Sequence, residues 1–156
     1  MKKYELSLSR NYVSSWGIEE AIRELLQNAK DSNGEDVIDI DKSSGTITIT
    51  NKNTSIPSST LLLGNTSKRD DLDKIGQFGE GYKLALLVLL REDKEVFIKN
   101  GSKNWTPSFE YSDNFECEVL CITETDGNGN DLTFEISGFN SSELDELENE
   151  FLGLNG

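Results

Sequence analysis

Histidine is absent from the 156-residue sequence. Its absence removes the Ser-His-Asp and Cys-His nucleophile schemes and any histidine phosphoacceptor within the chain. Cysteine is almost absent too: Cys117 and Cys121 are the only two. They lie four apart in a stretch, 115–123, that reads as a strand. At about 3.3 Å per residue their α-carbons stand roughly 13 Å apart, beyond disulfide reach. Two thiols without an imidazole also make a poor zinc set, so reduced, packed cysteines are expected. Proline occurs twice and 35% of residues are hydrophobic, the composition of a globular chain rather than a disordered one. No apolar run approaches the ~18–20 residues of a membrane span. The longest, 84–90, suits a buried helix. Met1-Lys2-Lys3 leads into Tyr4-Glu5-Leu6-Ser7 rather than an apolar signal core. One soluble, cytoplasmic domain over 1–156 is therefore expected, without membrane contact.

Basic residues are missing from the last third. The chain has 15 Lys and Arg against 29 Asp and Glu, a formal charge of −14. All the basic residues fall before residue 108, while 108–156 holds 13 of the acidic ones. A region of net −13 repels nucleic acid, because phosphate binding needs cations that displace counterions. Direct nucleic-acid binding is disfavoured. The plain reading is a solvated face; the sharper one is an acidic surface for a basic partner, or a mimic of nucleic acid.

Elements alternate in type along the chain. Residues 4–8 read as a strand, and 17–33 as a helix with Ile18, Ile22, Leu25 and Ala29 at helical spacing and Asn33-Gly34 as its stop. Residues 36–41 and 46–50 read as a hairpin about Ser43-Ser44-Gly45. A short helix over 58–63 leads into a long loop, 64–78, whose length suits a functional lid. A second, mostly apolar helix spans 79–91. Strands follow at 95–99, 105–111 and 115–123, then an Asp126-Gly127-Asn128-Gly129-Asn130 turn and a strand at 132–136. An acidic helix over 141–151, capped by Ser141 or Ser142, carries Leu144, Leu147 and Phe151 for docking. Trp16 reads as a core anchor, and Trp105 and Tyr111 read as sheet residues. The expected fold class is α+β: a two-layer sandwich with a mixed, mostly antiparallel sheet covered on one face by helices.

Two segments carry chemistry. On the first helix Glu24, Asn28 and Asp31 fall within about 60° of one another, at the edge of the apolar arc. A carboxylate one turn from a carboxamide suits a water-activating base beside a metal ligand. The second segment, Ile75-Gly76-Gln77-Phe78-Gly79-Glu80-Gly81-Tyr82-Lys83, has three glycines spaced G-x-x-G-x-G before a helix. Such glycines let backbone approach an anion, and a helix start aims N–H groups at it. Lys68, Lys74 and Lys83 are close by in sequence, as a polyphosphate site requires. No strand precedes the glycines and no Gly-Lys-Ser/Thr occurs, so neither a Rossmann fingerprint nor a P-loop is present.

In this order the two segments resemble the GHKL ATPases, which include gyrase B-type enzymes, heat-shock chaperones, histidine kinases and MutL. Glu24-x-x-x-Asn28-Ala29-x-Asp31 resembles that family's N box. Ile75 to Gly81 resembles its second glycine box, most closely the chaperone form. Thr66-Ser67-Lys68 is similar to the MutL lid, and Gly79-x-Gly81-Tyr82-Lys83 to the Morc ATPases. The family's D-x-G-x-G box corresponds to Asn51-Lys52-Asn53-Thr54-Ser55, followed by Ile56. Asn51 stands at the adenine-binding aspartate, while Asn53 and Ser55 replace both glycines. A third box reads Gly129-Asn130, with Thr133 further along.

The resemblance implies a Bergerat fold and an ATP·Mg²⁺ site. Asn28 would hold Mg²⁺ and Glu24 would activate water. Asp31, Asn51, Ile56, Gly76, Gln77, Phe78, Gly79, Glu80, Gly81, Tyr82 and Thr133 would line the nucleotide, and Lys68 or Lys83 would neutralise its terminal phosphate. It implies slow ATP hydrolysis coupled to a protein partner or homodimer. Two other functions are set beside it: an acidic protein-binding inhibitor on a degenerate ATPase fold, and a kinase-like phosphotransferase.

Overall fold

The computed structural model describes residues 1–12, 15–31, 35–65 and 81–152. Seven strands form one sheet: β1 (Lys2–Ser9), β2 (Asp36–Asp41), β3 (Thr46–Asn51), β4 (Glu95–Asn100), β5 (Lys103–Ser112), β6 (Cys117–Asp126) and β7 (Leu132–Ser137). Their spatial order is β1-β6-β5-β4-β7-β3-β2. The helices are α1 (Ile18–Asp31), α2 (Gly81–Arg91) and α3 (Ser141–Leu147). A 3-10 segment, Ser58–Asn65, follows β3, and a π turn, Glu148–Leu152, extends α3.

Every strand pairing is antiparallel, whereas the sequence suggested a mixed sheet. The reason is the place of β7. The helical crossover from β3 to β4 leaves those two strands parallel, but β7 inserts between them and pairs antiparallel with both. β6 reaches β7 by a loop that crosses the β4–β5 hairpin, held by N–H bonds from Gly127 to the Ser102 carbonyl and from Gly129 to the Gly101 carbonyl.

Strand alternation sorts the two faces of the sheet. Ile47, Ile49, Ile98, Trp105, Phe134 and Ile136 share one face and are buried in one cluster with the apolar sides of the helices. The intervening residues, among them Thr46, Thr48, Thr133, Glu135 and Lys99, are partly or fully exposed. This is an α+β fold compatible with a two-layer sandwich. α2 packs on α1 and on β4 and β5. It is buried nearly all round, as its unbroken apolar sequence requires. Among the described residues no helix is long and apolar enough to cross a membrane.

Side-chain to backbone bonds set the entries to the helices. The Glu20 carboxylate accepts the Gly17 N–H at 2.7 Å at the start of α1. The Arg91 guanidinium donates to the carbonyls of Arg10, Tyr12 and Trp16, tying the approach of α1 to the end of α2. α3 is capped by Asn140, not by Ser141 or Ser142. The Asn140 side chain accepts from the Glu143 N–H, and Glu143 accepts from the Asn140 N–H, a reciprocal capping box. Only Asn140 has a glutamate three residues on.

That box makes stability pH-dependent. The Asn140 N–H, and after it the Lys94 ammonium, hold the Glu143 carboxyl below its ordinary 4.5. A carboxylate depressed by folding stabilises the fold above its unfolded pKa, and the contribution is lost as pH falls through the folded value. Glu143→Gln, which keeps the box and removes only the charge at the helix start and beside Lys94, is therefore expected to lower the thermal midpoint by about 1–4 °C at pH 7, from ~0.3–1 kcal/mol. At pH 3 the two proteins should converge. A gap that stays constant from pH 7 to pH 3 would contradict this.

Candidate functional site

The two chemically suggestive segments meet where α1 faces the start of α2. Asn28 is 7% exposed and Glu24, one turn earlier, is half-buried. Gly81 comes so close to Glu24 that an added Cβ would overlap its carboxylate, with Cδ at 2.5 Å. Only glycine allows this approach. Among the described residues neither the Glu24 carboxylate nor the Asn28 carboxamide makes a hydrogen bond, and no sealed side-chain polar atom is left unbonded. The Asn28 carboxamide is therefore reached by solvent even though most of the residue is buried.

A second group converges at the far end of β3. Asn51 is buried, and its amide donates to the Ala29 carbonyl in the last turn of α1 at 3.0 Å. Asn53 adopts the left-handed conformation, φ 53°, and its N–H donates to Asp131 Oδ1 at 2.9 Å. That backbone explains the residue: glycine is the default there, and asparagine is among the few side chains that tolerate it. Asn53→Gly is expected to leave stability within a few tenths of a kcal/mol, whereas Asn53→Val should cost about 1–2 kcal/mol in urea unfolding. Equal costs for the two would sink this explanation. Ile56 is buried, and Asn100 clamps it, accepting its N–H at 2.7 Å and donating to its carbonyl at 2.9 Å. Asn53 to Ser55 and Gly129-Asn130 face each other, with Gly101, across a groove of about 390 Å³. Two segments far apart in sequence, both singled out from it, thus share one groove.

Other residues singled out from the sequence sit differently. Asp31 is exposed and bonded by Gln27 at 3.1 Å. Tyr82 lies in the core, its ring stacked on Trp105 at 6.4 Å. Its hydroxyl is hydrogen-bonded to that of Thr60, which also lies in hydrogen-bond contact with the Pro57 carbonyl. Lys83 is 2% exposed. Thr133 bonds Thr50 across the sheet, on the face opposite Asn51. Lys68, Gly76, Gln77, Phe78, Gly79 and Glu80, with most of the expected lid, lie outside the described residues. Asn100 and Asp131 were not picked out from the sequence, where each is one more polar loop-edge residue.

The acidic last third is not an unbroken negative surface. Among the described residues, eight of its carboxylates lie within 4 Å of cations from earlier in the chain: Glu110 with Lys3, Glu118 with Arg10, Glu150 with Arg23, Asp145 and Glu148 with Lys42, Glu143 with Lys94, Glu135 with Lys99 and Asp126 with Lys103. Such surface pairs stabilise little, about 0–1 kcal/mol each, but they interleave the two signs. The two thiols are free, and burial pushes that of Cys121 up. Among the described residues no group of three or more Cys, Asp or Glu gathers to hold a metal unaided. Compared with protein-family models and with curated proteins, the chain matches none.

Proposed function

We propose that the protein is a GHKL-type domain of Bergerat fold that binds ATP with Mg²⁺ and hydrolyses it slowly, its nucleotide state controlling association with a partner or a second copy. The observation that carries this reading is the contact of Glu24 with Gly81 beside Asn28. It joins the N-box-like helix to the last glycine of the second box, segments that nothing in local sequence obliges to meet. The groove shared by the degenerate first box and the third supports the same site, and so does the left-handed Asn53 where the family has glycine.

The donor chemistry fits. A carboxamide oxygen is a hard ligand, and Mg²⁺ takes one or two protein oxygens and completes its shell with phosphates and water. The lack of a carboxylate cluster is therefore no obstacle. When bound, the ion supplies positive charge against the phosphates. Asn28 would hold that ion, backbone N–H groups at the start of α2 would donate to phosphate oxygens, and Glu24 would accept a proton from the attacking water. Phosphoryl transfer asks mainly for positioning and charge stabilisation. Asn51 is the adenine-side residue this arrangement favours; Thr133, on the other face, is not supported. The interleaved ion pairs argue against the acidic-mimic reading, and no observation favours phosphotransfer to a protein.

The test is a thermal shift with a non-hydrolysable ATP analogue. At 100 times the Kd, ligand stabilises by about 2.7 kcal/mol, a rise of roughly 5–10 °C for a chain of this size. The rise should need Mg²⁺ and should shrink with the GTP analogue. No shift at millimolar Mg²⁺ and analogue would overturn the proposal.

A further inference from the structure

β4 and β5 begin as a tight hairpin and then part. Their pairing covers Asn100↔Lys103, Lys99↔Asn104 and Ile98↔Trp105, and stops there. Each strand goes on pairing with its other neighbour, β4 with β7 down to Glu95 and β5 with β6 to Ser112. Among the described residues, then, the stretch from Glu95 to Phe97 and the stretch of β5 from Thr106 onward face each other without a ladder. Pro107 brings no N–H to that edge. The gap opens into a cavity of about 470 Å³, lined by Leu90 of α2 and by Lys94, Glu95, Phe97, Pro107 and Glu135. Its size is that of a ligand site. It lies near the C-terminal end of α2, the end opposite Gly81.

We infer that this gap is a peptide-docking slot, which takes a short extended segment of a partner protein as an added strand. Backbone amides and carbonyls on facing strand edges are the groups that an incoming strand pairs with. The open stretch of β4 is three residues, so about 10 Å of strand, or three residues of the partner, are held. The apolar floor selects one aliphatic side chain pointing inward. The rim selects the flanking charge. Glu95 is exposed and has no ion-pair partner among the described residues, whereas Glu135 is paired with Lys99, and Lys94, the cation of the lining, is buried and tied to Glu143. The segment recognised is therefore aliphatic at its centre with Lys or Arg beside it. This does not rest on the nucleotide reading.

The probes are acetyl-Lys-Leu-Lys-Val-Lys-amide, the same peptide with N-methylated backbone amides, and its glutamate counterpart, titrated against the full chain. The basic peptide is expected to bind and to slow hydrogen exchange at the amides of 95–97 and of Thr106, Ser108 and Phe109. The N-methylated and glutamate peptides should bind at least tenfold more weakly, and so should the basic peptide with Glu95→Lys, a change at an exposed position that the fold tolerates. Absence of binding, equal affinity for the N-methylated peptide, indifference to Glu95→Lys, or protection at β1 or β2 instead would each overturn the inference.

Discussion

Replacing Glu24 by Gln is expected to slow phosphate release by about 100-fold or more while nucleotide affinity stays within about threefold. General-base catalysis contributes typically 10²–10⁴-fold, and the change keeps the size of the side chain while removing its basicity. Nothing in the fold depends on the carboxylate: among the described residues it makes no hydrogen bond, and it rests against Gly81. Thermal stability without nucleotide should therefore be unchanged. Gly81→Ala offers an independent check. The new Cβ would collide with the flexible end of Glu24, which can swing aside, so the fold should lose little and hydrolysis much. A Glu24→Gln protein whose affinity fell in step with its rate would show that Glu24 binds rather than activates.

The largest stability loss is expected at Trp105. It is fully buried, stacks on Tyr82, and donates from its indole N–H to Glu124 Oε2 at 2.8 Å. Glu124 is itself buried and, among the described residues, accepts one other bond, from Ser58 Oγ at 3.2 Å. Trp105→Ala should cost about 3–5 kcal/mol for the cavity, and leaving the carboxylate short of a donor adds to that. Trp105→Phe keeps most of the ring packing and removes the donor, so it should cost about 1–3 kcal/mol. Urea unfolding of the three proteins separates the two effects. Equal losses in the two variants would mean that the hydrogen bond, not the packing, dominates. The stack matters beyond stability, since Tyr82 links through Thr60 to the Pro57 carbonyl and so to the loop that carries Ile56.

Much of this fold is legible in the sequence because its strongest signals are local. Ile18, Ile22, Leu25 and Ala29 mark α1, which runs over Ile18–Asp31 among the described residues, and the alternation of 36–41 and 46–50 marks β2 and β3. Errors arise where two local rules compete. Phe115 read as the start of a strand, but the turn after Ser112 claims it, and Glu116 takes φ 56° to close that turn. The Asn140-x-x-Glu143 box was legible as a cap, yet the adjacent serines drew the assignment. Thr133 could have been placed by alternation alone: Leu132, Phe134 and Ile136 are inward, so Thr133 is outward. There, motif position outweighed period.

What the sequence does not carry is tertiary. Charge counting made the last third a −13 block, because the cations that pair with it come from as far back as Lys3. The parting of β4 from β5 is equally silent, since both strands keep good β character to their ends. The contact of Glu24 with Gly81 depends on how α1 and α2 cross, and most of the expected lid between them, with Lys68, Gly76 and Gly79, lies outside the described residues.

The nucleotide reading stands or falls most directly on calorimetric titration of the wild-type chain and Asn28→Ala with a non-hydrolysable ATP analogue and Mg²⁺. The expected result is one saturable site in the wild type and an affinity at least about 100-fold lower in the variant, close to 2.7 kcal/mol, with the unliganded thermal midpoint unchanged. Equal affinity in the two proteins, or no binding by a folded wild type, would contradict it.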